Sequence, residues 1–126
     1  MKHGLSQETK EEVHKILKKY PQVKQAILYG SRARGDYKKG SDVDLTLIGG
    51  DDLTRDILYH IMDEHEDSYL PYTFDLSILH KINDADFLGR IQKEGVVFLN
   101  GKKIKCYILM KKNPSFEFSL LLNIGL

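Results

Sequence analysis

"GSRARGDYKKGSDVDL", residues 30–45, is the stretch on which the reading of this chain turns. It brings Gly30 and Ser31, then Arg32 and Arg34, then Asp42 and Asp44 into one short segment. Small proteins rarely crowd glycine, cation and paired carboxylate without a charged ligand to hold. The preceding run "VKQAILYG" reads as a strand ending at Gly30, and "DVDLTLI" as a second strand. On that second strand Asp42 and Asp44 are two positions apart, so both side chains leave one face. Val43, Leu45 and Leu47 leave the other, toward a core. Two carboxylates side by side repel each other at neutral pH, which is costly at the start of a buried strand unless a cation neutralises them.

Working outward, "YTFDLSIL" alternates again, with Phe74, Leu76 and Ile78 on one side and Thr73, Asp75 and Ser77 on the other. If its strand lies beside the Asp42/Asp44 strand, Asp75 becomes a third carboxylate on the same face. An oxygen-only set suits a hard cation such as Mg2+, which keeps waters and takes substrate phosphates as further ligands. Two such ions can flank a phosphorus atom. Gly30-Ser31 opens a turn whose backbone N–H groups and hydroxyl can bind phosphate oxygens, and no lysine follows in the P-loop pattern. Arg32 and Arg34 are cations suited to a triphosphate or a leaving pyrophosphate. Ser41, just before Asp42, joins this candidate nucleotide-binding set. Taken singly, each feature has a bland reading: a Gly-Ser turn, a solvated Asp-x-Asp, an edge-strand aspartate, arginines in structural salt bridges. The combination is what points to a site.

The rest of the chain sets the frame. Its 126 residues suit one domain, and 19 basic against 18 acidic residues leave a net charge of +1. Long-range attraction to nucleic acid or anionic lipid is thus not a property of the whole molecule, and direct nucleic-acid binding is not expected. The single Cys106 excludes an internal disulfide, and no apolar run approaches the roughly 20 residues of a membrane span. A soluble, cytoplasmic protein is the expectation. His60 and His65 fall off a common helical face, so the histidines read as surface residues rather than as zinc ligands.

Ser6 caps an expected helix to about Lys19, with Thr9, Val13, Ile16, Leu17 and Tyr20 as its stripe and Pro21 as its stop. "DDLTRDILYHIMDEHED" carries Leu53, Ile57, Leu58, Ile61 and Met62 on one helical face. Asp84 caps a short helix through Phe87, Leu88 and Ile91 that Gly95 ends. "VVFLNGKKIKCYIL" places Asn100-Gly101 between two apolar runs, a hairpin signal. The expected order α-β-β-α-β-α-β gives an α/β (α+β) fold, a mixed sheet with helices packed mainly on one face. Residues 1–110 form the expected domain. The tail 111–126, basic, then broken by Pro114, then apolar, reads equally as a core element, a docking segment or a loose end.

Gly30-Ser31, ten intervening residues and Asp42-x-Asp44 match the GSx10DxD signature of the minimal nucleotidyltransferases of the DNA polymerase beta-like superfamily. "YTFDLSIL" resembles the segment of their third carboxylate, and "IQKEGVVFLN" their closing segment. The resemblance covers about residues 10–100. It implies the nucleotidyltransferase fold, Asp42, Asp44 and Asp75 as catalytic metal-binding acids for Mg2+, and Gly30 and Ser31 as the phosphate-binding pair. It further implies ATP as co-substrate. Many such proteins are antitoxins that transfer AMP to a tyrosine of an all-helical HEPN toxin of RNase type, so a hetero-oligomer with such a toxin is the expected assembly. Two alternatives stand beside this. One is a small-molecule nucleotidyltransferase of the aminoglycoside-modifying kind, which carries a second, acceptor-holding domain that this chain has no room for. The other is an antitoxin that only binds.

Overall fold

The computed structural model describes residues 2–100; the second half of the Asn100-Gly101 hairpin signal, Cys106 and the tail from Lys111 lie outside the described residues. Helix α1 (Gln7–Lys18) begins at Ser6, whose hydroxyl accepts the Thr9 N–H at 3.1 Å. Its buried stripe is Thr9, Val13, Ile16 and Leu17. Strand β1 (Val23–Tyr29) follows after Pro21 and is buried along nearly its whole length. A single helical turn, α2 (Ser31–Arg34), leads into a loop and then into strand β2 (Val43–Gly49). Helix α3 (Arg55–Asp67) is capped by Thr54, strand β3 (Phe74–Ile78) returns beside β2, and helix α4 (Ala85–Glu94) is capped by Asp84. Strand β4 (Val96–Asn100) completes the described chain.

The sheet runs β3-β2-β1-β4. Strand β1 is antiparallel to both β2 and β4, while β2 and β3 are parallel, joined through α3. Alternation along the strands divides the core in two. On one face Ala26, Leu28, Leu45, Leu47, Leu76 and Ile78 meet Val13, Ile16 and Leu17 of α1 and Ile61 of α3. On the other, Ile27, Tyr29 and Ile48 meet Leu88 and Ile91 of α4. The central strands are thus covered on both sides, which is why they read as near-continuous apolar runs. Helix α4 sits on the face that also carries Asp44, and so borders whatever forms there.

One boundary differs from expectation. Asp42 precedes β2 rather than lying on it, because the first ladder partner of β2 is Val43, opposite Phe74. Its carboxylate therefore comes from the end of a loop.

Candidate active site

Strand register assembles the carboxylates. In the parallel pair Asp44 stands directly opposite Asp75, and in the antiparallel pair it stands opposite Tyr29. The end of β1, the start of β2 and the start of β3 meet at one end of the sheet. Gly30 follows Tyr29 there, with φ 78° and ψ −157°. That region of backbone space is essentially reserved for glycine. A Cβ on Gly30 would also collide with Asp44 Oδ2. The glycine is therefore required twice, by its own backbone and by the carboxylate beside it. Asp44 is half-buried, whereas Asp42 and Asp75 are exposed.

The two arginines of the segment separate. Arg34 lies at the surface with its Nη1 3.1 Å from each carboxylate oxygen of Glu94 and its Nε 3.2 Å from Asp36 Oδ1. Arg32, expected at the triphosphate, is instead 2% exposed. Its Nε and Nη2 donate to the Ser41 carbonyl at 3.1 and 2.9 Å, and Nη1 donates to the His3 carbonyl at 3.0 Å. The guanidinium lies against the rings of Tyr37 and Tyr72. Its donors are committed to backbone, so it braces the loop that delivers Asp42. The Ser41 hydroxyl accepts the Lys38 N–H at 2.8 Å and closes the same loop.

A family model described as "Polymerase beta, Nucleotidyltransferase" matches residues 11–104. The chain belongs to the polymerase beta nucleotidyltransferase family. Solved structures share the fold of this nucleotidyltransferase. A toxin-antitoxin crystal structure with AMP-PNP aligns with TM-score 0.62 and 19% identity, covering 75% of this chain and 74% of that one. The complex of tri-AMPylated Shewanella oneidensis HEPN toxin with its MNT antitoxin aligns with TM-score 0.59 and 16% identity, over 82% and 79% of the two chains. A MntA–HepT toxin-antitoxin structure aligns with TM-score 0.59 and 15% identity, over 93% and 85%. A search of curated proteins by sequence found no match.

The nucleotidyltransferase site is electrostatically loaded. Burial first, then the charges of Asp75 and Asp42, push the Asp44 carboxyl up to about 6, with Arg34 and Arg90 pulling the other way. Burial also pushes the Tyr29 hydroxyl up to about 12, with Asp75 and Asp44 adding to the rise. Crowded carboxylates of this kind fit a hard divalent cation, although among the described residues no three acidic, His or Cys side chains gather closely enough to cage one unaided. A donor set completed by water and phosphate oxygens is the chemistry that such a group admits.

Two further charged residues border the site: Arg90, whose charge acts on both Asp44 and Tyr29, and Glu94, which accepts the Gly30 N–H at 3.2 Å. Both lie on α4, far along the sequence from Gly30. Glu94 falls inside "IQKEGVVFLN", the segment that resembles the family's closing segment, but nothing in its own neighbourhood marks it. Two of the three carboxylates, Asp42 and Asp75, face solvent among the described residues. A cavity of about 300 Å3 lies apart from them, between α3 and the approach to β3, lined by Met62, His65, Leu70, Tyr72 and Phe74 among others. Among the described residues no helix is long and apolar enough to cross a membrane.

Proposed function

We propose that this nucleotidyltransferase transfers AMP from ATP to a tyrosine hydroxyl on a cognate HEPN-type toxin and so acts as an antitoxin. The observation that carries the reading is the parallel register that sets Asp44 against Asp75 at the sheet end where Gly30 turns. Asp42, Asp44 and Asp75 would hold Mg2+, which when bound supplies positive charge to the reacting phosphate. Ser31, with its hydroxyl and its N–H at the first position of α2, could receive phosphate oxygens, and Arg34 could offset their charge. The exposed Asp75 on edge strand β3 lies where a partner's surface can reach it. There a tyrosine oxygen attacks the α-phosphorus, its proton passes to a carboxylate such as Asp75, the bond to the β-phosphate breaks and pyrophosphate leaves. The exposure of Asp42 and Asp75 supports a macromolecular acceptor. So does the fold likeness to an MNT antitoxin found with an AMPylated HEPN toxin.

The test uses ATP labelled at either end of its triphosphate. With the chain, Mg2+ and the partner protein, label at the α position is expected in the partner and label at the γ position in pyrophosphate. Label from the γ position entering the partner would make the reaction a kinase reaction. A partner that stays unlabelled yet is neutralised equally by wild type and Asp42→Asn would make the protein a binding-only antitoxin.

A further inference from the structure

The last residue of α4 reaches across to the glycine turn. Glu94 Oε2 accepts the Gly30 N–H at 3.2 Å, while both carboxylate oxygens accept from Arg34 Nη1 at 3.1 Å. The Glu94 side chain is only 15% exposed, against 65% for Asp36, the other acid on Arg34. These contacts are not needed to finish α4, since the Gly95 N–H already closes the helix onto the Ile91 carbonyl at 2.7 Å. One half-buried carboxylate thus holds the two groups flanking the place where phosphate would enter. It also takes up the Gly30 amide, leaving Ser31 as the phosphate donor of the pair.

A carboxylate beside a polyanion's seat has two possible consequences. As a plug it competes with the nucleotide for Arg34 and Gly30. As an anchor it fixes a glycine backbone that is flexible on its own and gives a long, flexible guanidinium one orientation. The geometry favours the anchor. Gly30 sits in a mirror-β conformation that glycine populates freely beside several others, so an outside contact is what selects it. Arg34 ends the same short turn that begins with Ser31, so it lies beside the site while paired with Glu94 and does not have to swing free. We propose that Glu94 is a positioning residue of the nucleotide site, holding the Gly30 turn and aiming Arg34 at the incoming triphosphate. This rests on the nucleotidyl-transfer reading above.

Two measurements on the full chain test it, one of them independent of nucleotide. Hydrogen exchange of the Gly30 amide is expected to accelerate in Glu94→Ala while the core amides of β1 keep their protection. Calorimetry with a non-hydrolysable ATP analogue and Mg2+ is expected to show binding weakened about tenfold in Glu94→Ala and less in Glu94→Gln, whose amide oxygen can still accept from Gly30. In an Arg34→Gln background the Glu94→Ala loss should shrink, because part of it acts through Arg34. Tighter binding in either Glu94 variant would make the residue a plug and overturn the proposal, as would unchanged affinity. If wild type itself binds no nucleotide, the nucleotidyl-transfer reading fails, and the Gly30 exchange rate still decides whether Glu94 holds the turn.

Discussion

At the scale of single residues the candidate site is a set of like charges brought together at one end of the sheet, one of them half-buried. Asp44 has its carboxyl raised to about 6 from an ordinary value of 3.8, chiefly by burial. A carboxyl raised on folding contributes stability that is full below its unfolded value and lost as pH rises through the folded one. In chelator, Asp44→Asn should therefore melt a few degrees above wild type at pH 8, where Asp44 is charged. The two should melt nearly together at pH 4. A difference in melting temperature that is the same at both pH values would remove Asp44 as the source. The sequence allowed this residue to be read because alternation along β2 puts Asp44 on the face opposite Val43 and Leu45, whereas Asp42 lies just before the strand. Arg32 could not be read. In "SRAR" both arginines look alike, and only the three-dimensional positions of Tyr37, Tyr72 and the Ser41 carbonyl decide which one turns inward.

At the scale of elements, caps and periodicity carried most of the outcome. Ser6 and Asp84 cap α1 and α4 as their spacing indicated, and the two aspartate-bearing strands pair. What periodicity could not supply was the loop between α2 and β2, which a buried arginine braces in addition to its own turn residues Gly35, Gly40 and Ser41. That gives Arg32 a strong signature. Lysine keeps the charge but cannot reach two carbonyls with a planar fork or stack between two rings. Arg32→Lys is expected to cost about 2–3 kcal/mol in denaturant unfolding, since the His3 and Ser41 carbonyls lose charged donors. It should also weaken Mg2+-nucleotide binding, because Asp42 follows Ser41 directly. Near-wild-type stability in this variant would mean that Arg32 is dispensable to the loop. The contacts of α4 with the glycine turn were beyond periodicity for a related reason. They join residues more than sixty positions apart, and nothing local to Glu94 marks its partner.

At the scale of the whole molecule, two helices cover one face of the described sheet and α4 covers part of the other, with Asp42 and Asp75 exposed among the described residues. Exposed carboxylates suit an acceptor carried on another protein's surface, and the account stands or falls on whether that transfer occurs. The most direct measurement is the intact mass of the HEPN-type partner after co-expression with wild-type chain or with the Asp42→Asn/Asp44→Asn double variant. The account predicts a partner heavier by whole adenylyl groups beside the wild type, with the added groups mapping to tyrosine, and an unmodified partner beside the variant. An unmodified partner in both cases would contradict it, as would the same mass increase with and without the two aspartates.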